Sequence, residues 1–215
     1  MASNVRRLPV YLLLDCSGSM MGEPIEAVKQ GVKTLLSELR SDPQALETAY
    51  LSVITFDSSA RQTVPLTELM QFEEPEIQAG GATALGEALN VLMDSVEHEV
   101  NRTTETQKGD WKPLVFILTD GMPTDLGVFD QAAQDVKNMK AANIVACAAG
   151  PNAETDTLKK ITDNVLVMNS MLPGDFERFF QWVSGSILMA SKSLDATPGA
   201  AIELAPPPAG FVIVP

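Results

Sequence analysis

Leu8-Pro9-Val10-Tyr11-Leu12-Leu13-Leu14-Asp15-Cys16-Ser17-Gly18-Ser19 begins as a nearly continuous apolar run and stops in small polar residues. A strand reads this way when helices cover both faces of its sheet, because neither face then meets water. The next stretch supplies the first covering helix: Ile25, Val28, Val32, Leu35, Leu36 and Leu39 form one stripe between about Glu23 and Arg40. Pro24 suits its first turn, and Ser41-Asp42-Pro43 suits its end.

Working outward, the same alternation continues. Tyr50 to Phe56 and Arg61 to Val64 read as two strands joined across Asp57-Ser58-Ser59-Ala60, close enough for a hairpin, so the second is expected at an antiparallel edge. After the acidic stretch Glu68 to Gln78, Gly80-Gly81-Ala82-Thr83 leads into a helix carrying Leu85, Ala88, Leu89, Leu92, Met93 and Val96. A polar loop, Asn101 to Asp110, precedes the strand Leu114 to Leu118. A helix around Phe129 to Lys140, a strand Ile144 to Ala148, a short helix near Thr155 to Ile161 and a strand Val165 to Met168 follow. In the last helix Phe176, Phe179, Phe180, Val183 and Ile187 recur at helical spacing, which marks them as core and not as a stacking platform.

The expected fold is therefore α/β and doubly wound: a three-layer, Rossmann-like arrangement with helices on both faces of a mostly parallel six-stranded sheet that has one antiparallel edge strand. Residues 1–195 are expected to form the domain and 196–215 a Pro-rich tail. Within that tail the apolar Phe211-Val212-Ile213-Val214 suits addition to a sheet edge or to a neighbouring molecule.

With 215 residues, 45% of them hydrophobic, the chain can bury one sizeable core. Fifteen Lys and Arg against 28 Asp and Glu give a net charge of -13, the wrong sign for nucleic acid or an anionic membrane as partner. The same charge also serves to keep a soluble protein apart from its neighbours. The apolar run before Asp15 is too short to span a bilayer and lacks a small-residue cleavage site, so a cytoplasmic location is expected. Cys16 and Cys147, the two cysteines, fall at or near the ends of apolar runs and are expected reduced and packed as small hydrophobes.

Asp15, Ser17 and Ser19 stand where the first strand ends, Thr83 just before a helix, and Asp120 at the end of Leu114 to Leu118. In an open parallel sheet these positions share the carboxyl edge, where ligands bind. Two carboxylates and three hydroxyls form an all-oxygen set that suits Mg²⁺, with Mn²⁺ or Ca²⁺ as alternatives, over zinc or copper. Each residue also has a plainer reading. Asp15 and Asp120 suit turns, and Thr83 suits a helix cap, although Gly86 stands where a capping box wants Glu or Gln. His98, the sole histidine, is expected in solvent, and no Ser-His-Asp arrangement follows from it. Met20, Met21 and Met122 flank the site, either as an adaptable contact surface or as inward packing.

Asp-Xaa-Ser-Xaa-Ser after a first hydrophobic strand, Thr after Gly-Gly, and Thr-Asp-Gly ending a later strand resemble the metal-ion-dependent adhesion site of the von Willebrand factor A family. The likeness runs over roughly residues 8 to 190. The longer wording LLLDCSGSMMGEPI, GGATALGEALN and WKPLVFILTDGMPTD is similar to the bacterial cytoplasmic subgroup that includes the tellurite-resistance protein TerY and the YegL proteins. The resemblance implies a strand order of 3-2-1-4-5-6. It also implies Ser17, Ser19 and Thr83 as direct ligands, with Asp15 and Asp120 direct or bridged by water. A role in complexes follows from it too, sometimes beside kinases and phosphatases in stress responses.

The expected function is a metal-dependent protein-binding module in which a partner's Asp or Glu completes the cation's coordination, with no enzymatic activity. Two alternatives stand beside it. A Mg²⁺-dependent phosphatase or phosphotransferase would use Asp15 as nucleophile. It would want a second carboxylate where Ser17 stands, and a GxxxxGK phosphate loop is absent. A metal-independent scaffold would bind through the tail or the helices.

Overall fold

The computed structural model describes residues 6–139, 141–151, 153–196 and 204–214. Seven strands form one sheet: β1 (Leu8–Asp15), β2 (Ala49–Phe56), β3 (Ala60–Glu68), β4 (Leu114–Thr119), β5 (Asn143–Ala149), β6 (Val165–Met168) and β7 (Phe211–Val214). Their order is β3-β2-β1-β4-β5-β6-β7. β1 lies parallel to β2 on one side and to β4 on the other, and the parallel run continues through β5 and β6. β3 closes one edge as the antiparallel arm of the expected hairpin.

The sequence reading expects six strands and one antiparallel edge, and the fold has a seventh strand and a second such edge. Phe211–Val214 lies antiparallel along Val165–Met168, from Val165↔Val214 to Met168↔Phe211. Upstream of β7, the Trp182 indole N–H donates to the Ala205 carbonyl at 2.8 Å, and the Ala205 N–H donates to Ser186 Oγ at 3.2 Å. Leu204 to Val214 contains no charged side chain, so laying it on the sheet edge buries apolar surface without stranding a charge.

Among the described residues six α-helices flank the sheet: α1 (Glu23–Arg40), α2 (Pro43–Thr48), α3 (Leu85–Glu99), α4 (Leu126–Met139), α5 (Thr155–Lys159) and α6 (Pro173–Ala196). The pleat of each central strand divides its side chains between two cores. Val10, Leu12 and Leu14 of β1 join Phe116 and Leu118 of β4 under α1 and α6. Tyr11 and Leu13 join Val115 and Ile117 under α3 and α4. Burial on both faces is the physical reason that β1 and β4 read as unbroken apolar runs.

One local expectation needs correction. Ser41-Asp42-Pro43 ends α1 as read, but it also starts α2: Asp42 Oδ1 accepts from the N–H groups of Gln44 and Ala45, each at 3.0 Å, and Pro43 opens the first turn. Among the described residues no helix is long and apolar enough to cross a membrane. The chain steps from β1 outward to β2 and β3, then returns across β1 to β4 and proceeds the other way. This reversal opens a crevice between the carboxyl ends of β1 and β4.

Candidate metal centre

Asp15 is the last residue of β1 and Thr119 the last of β4, so the crevice is lined from both sides by strand ends. Beyond β1 the chain turns tightly. The Ser17 N–H donates to Asp15 Oδ1 at 2.8 Å, and a single 3-10 turn, Gly18–Met20, swings Ser19 back toward β4. Ser17 Oγ and Ser19 Oγ then lie 3.0 Å apart, and Ser19 Oγ donates to Asp120 Oδ1 at 2.9 Å. Asp15, Ser17, Ser19 and Asp120 thus form one continuous hydrogen-bonded arc across the switch point.

Thr83 is positioned beside the arc through its backbone and that of the preceding glycine loop. The Gly18 N–H donates to the Gly81 carbonyl at 3.1 Å, and the Gly80 N–H donates to the Cys16 carbonyl at 2.8 Å, pinning the glycine loop beside β1. Gly81 has φ +75°, and a Cβ there would stand 2.4 Å from Ser58 Oγ, so both backbone hand and space exclude a side chain. Thr83 is held from the β4 side: its N–H donates to Thr124 Oγ1 at 3.1 Å, and its carbonyl accepts from the Thr124 N–H at 2.9 Å. Its hydroxyl would lie 3.8 Å from a Cβ placed on Gly121, next to Asp120.

Three contributors escape the sequence reading. Thr119 Oγ1 donates to Asp15 Oδ2 at 2.5 Å, so both oxygens of Asp15 are fixed. Thr124 holds Thr83 as described. Asp125 takes the cap that Thr83 was a candidate for: its carboxylate accepts from the N–H groups of Gly86 at 3.1 Å and Glu87 at 2.9 Å, at the start of α3. Thr119 had a signal, adjacency to Asp120 in Thr-Asp-Gly. Thr124 and Asp125 act on a segment forty residues away and carry no local pattern.

Electrostatics set the chemistry of the cluster. Asp15, Ser17, Thr83 and Asp120 are buried, while Ser19 forms the exposed lip. Burial raises the Asp15 carboxyl above its ordinary range, against the lowering effect of hydrogen bonds from Ser17 and Thr119. Burial also raises the Asp120 carboxyl, partly offset by Ser19. Among the described residues no lysine, arginine or histidine pairs with either carboxylate. Two buried acids with no cationic side chain, ringed by hydroxyls, are a donor set that fits a small hard cation. Nowhere among the described residues do three or more His, Cys, Asp or Glu side chains gather as a metal cluster, so a site here must draw on hydroxyls.

Residues 10–181 match the family model of the von Willebrand factor type A domain. The chain belongs to the von Willebrand factor type A family. Solved structures with this fold include the von Willebrand factor type A protein from Catenulispora acidiphila (TM-score 0.61, 20% identity, 86% of this chain and 43% of that one). The pilus adhesin SpaC from Lactobacillus rhamnosus GG aligns with TM-score 0.65 and 16% identity over 87% of this chain and 30% of its own. Proximal thread matrix protein 1 from the mussel byssus, with a zinc-occupied MIDAS motif, aligns with TM-score 0.58 and 18% identity over 86% and 46%. Among curated sequences, the uncharacterized protein sll0103 of Synechocystis is 31% identical over 124 residues, 54% of this chain and 26% of its own length. The chain thus spans less than half of each of these relatives.

The von Willebrand A fold accounts for the strand order and for the crevice. Other expectations resolve individually. His98 is exposed, its Nδ1 beside the Asp94 carbonyl at 2.7 Å. Cys16 and Cys147 are free and buried in the core, and burial pushes the Cys16 thiol up to about 12. Of the three flanking methionines, Met20 packs inward while Met21 and Met122 face solvent.

Proposed function

We propose that this von Willebrand A domain is a metal-dependent protein-binding module, with Asp15, Ser17, Ser19, Thr83 and Asp120 as the residues that hold the cation. The observation that carries the reading is the arc of oxygen side chains at the β1/β4 switch point, containing two buried carboxylates without a cationic side chain. Mg²⁺ is the resident ion of this proposal, with Mn²⁺ and Ca²⁺ as competitors, because every donor is oxygen. Bound there, a divalent cation would offer a coordination position to a partner's Asp or Glu.

The chain's own residues do the rest. Thr119 and the Ser17 N–H fix the two oxygens of Asp15, and Thr124 fixes the backbone at Thr83, so the chain's own hydrogen bonds orient these donors. Ser19, on the exposed lip, marks the side from which a partner enters.

Catalysis is disfavoured by chemistry. A phosphotransferase built on Asp15 needs an acid or base beside it, and the neighbour two positions on is Ser17, whose hydroxyl is bonded to Ser19. The wording of LLLDCSGSMMGEPI and WKPLVFILTDGMPTD supports placement in the TerY/YegL-like subgroup. With it come a cytoplasmic location, a stress-response or tellurite-resistance-type assembly, and kinase or phosphatase components as partners. Residues 1–195 as the binding domain, with Phe211–Val214 joined to its sheet as β7, completes the proposal.

Affinity capture with wild type and Asp15→Ala, each with Mg²⁺ and with EDTA, tests the reading. Partners should be retained only by wild type with Mg²⁺. Capture that is indifferent to both changes would leave the metal-independent scaffold.

A further inference from the structure

Four of the five proposed cation donors are placed by strand ends: Asp15 closes β1, Asp120 follows β4, and Ser17 and Ser19 lie in the tight turn directly after β1. Thr83 has no such anchor, because residues 69–84, between β3 and α3, contain neither strand nor helix. Irregular backbone is held by the bonds it makes to its surroundings, so those bonds set where Thr83 stands.

Thr124 supplies them from the β4 side, and the turn of the β2–β3 hairpin supplies them from the other. The Ala82 N–H donates to Ser58 Oγ at 3.1 Å and the Ala84 N–H to the Asp57 carbonyl at 2.7 Å, so the residues on both sides of Thr83 are tied to the same turn. The turn is tied in its own right to β1, where the Cys16 N–H donates to the Phe56 carbonyl at 2.8 Å. Together with the bonds from Cys16 and Gly18 to the glycine loop, this closes a ring that runs from β1 through the hairpin turn to the neighbours of Thr83 and back.

Every bond in that ring joins backbone to backbone except the one that Ser58 Oγ accepts. Backbone bonds survive a change of side chain, whereas this one depends on which residue stands at 58. The hydroxyl also fits a narrow space: a Cβ on Gly81 would stand 2.4 Å from it, so turn and glycine loop touch directly at this point. Ser58 and Ser59 are both exposed, but Ser59 joins the turn through its backbone, its N–H donating to Asp57 Oδ1 at 3.1 Å and its carbonyl accepting from the Asp57 N–H at 2.9 Å. An exposed side chain of this size contributes little to global stability, so the consequence of the Ser58 bond is local.

We propose that Ser58 is a positioning residue of the cation site: its hydroxyl, seated against Gly81 and bonded to the Ala82 N–H, holds Thr83 beside the oxygen arc. This rests on the metal-dependent reading above and adds the β2–β3 turn to the parts of the fold that set cation affinity. The full chain is compared with Ser58→Ala, Ser58→Thr, Ser59→Ala and Asp15→Ala. Each is measured by calorimetric titration with Mg²⁺ and Mn²⁺, by thermal unfolding in EDTA, and by amide hydrogen exchange of Ala82 in EDTA.

Asp15→Ala should abolish cation binding. Ser58→Ala should weaken it by roughly 3–10-fold, less than the loss of a group bonded to a ligand side chain, because Ser58 acts through the backbone. Its Tm in EDTA should stay within about 2 °C of wild type. Its Ala82 N–H should exchange about fivefold faster, the effect of losing one neutral hydrogen bond. Ser58→Thr, which keeps the hydroxyl, should restore both affinity and exchange, and Ser59→Ala should change neither. Wild-type affinity or wild-type Ala82 exchange in Ser58→Ala, or an equal loss in Ser59→Ala, overturns the positioning role and leaves the metal reading standing. A loss of affinity matched by a loss of Tm in EDTA overturns it too, since the hydroxyl would then support the fold as a whole. If neither ion binds wild type, or Asp15→Ala binds as wild type does, both readings fall.

Discussion

Replacing Thr119 by valine removes one hydroxyl and almost no volume. The hydroxyl donates to Asp15 Oδ2 at 2.5 Å, and both groups are buried, so the carboxylate loses a fixed donor that water cannot replace. Thr119→Val should weaken Mg²⁺ or Mn²⁺ binding by roughly 10–100-fold, as loss of an orienting partner does at metal sites, and calorimetric titration would measure it. Unchanged affinity would show that Asp15 does not need Thr119 to hold its position.

Proton competition gives a second prediction at the same residues. Burial raises Asp15 and Asp120, and a cation needs both deprotonated. Affinity should therefore fall on acidification at a higher pH than an ordinary carboxylate of ~4 would impose. Without metal the sign reverses: acids raised in the folded state contribute stability that is fully present below the unfolded pKa and is lost as pH rises through the folded pKa. The difference in Tm between Mg²⁺ and EDTA should then shrink from both sides as pH is lowered from 7.5 toward the ordinary carboxylate range of ~4. A constant difference over that range would contradict it. That Asp15, Ser17, Ser19 and Asp120 would be neighbours was legible because each sits at or just after the end of β1 or β4, whereas the residues that hold Thr83 and cap α3 act through contacts distant in the chain.

Helix α1 carries a glycine in its interior, at a helix-propensity cost of ~1 kcal/mol relative to alanine. The structure supplies the reason: a Cβ on Gly31 would stand 2.0 Å from Cδ2 of Phe180, where α6 crosses α1. Gly31→Ala should thus destabilise by about 1–2 kcal/mol despite the better propensity, because the packed ring must move. In a Phe180→Ala background the same change should become neutral or stabilising, and urea unfolding of the four proteins would measure the coupling. Additive effects would mean that the two helices do not meet as described.

The periodicity of α1 and α6 was readable from the sequence, since apolar stripes depend only on which face is buried. Which glycine marks the crossing was not, because it depends on two segments about 150 residues apart. The same limit hid α2, where Asp42 was read as a terminator and is also a cap, and the cap of α3, supplied by Asp125 from the far side of the crevice.

The two sheet edges are defended differently. β3 carries Arg61, Pro65 and Glu68 and is interrupted by register shifts against β2, features that discourage a further strand from pairing. β6 has no such protection: Val165 to Met168 is wholly apolar, and β7 covers it. A chain ending at residue 203 would uncover that edge, strand the Trp182 indole N–H and expose the core that Leu204, Ala205 and Phe211 pack against. Loss of these contacts should cost roughly 2–3 kcal/mol, lowering Tm by about 4–12 °C. The exposed edge should also promote self-association, visible by size-exclusion chromatography with light scattering. Mg²⁺ affinity should stay as it was, because the oxygen arc is built on β1 and β4, two strands inward from β6. A truncated protein that keeps its Tm and stays monomeric would show that β7 is dispensable. One that loses metal affinity in step with stability would show that the sheet edge and the switch point form a single cooperative unit.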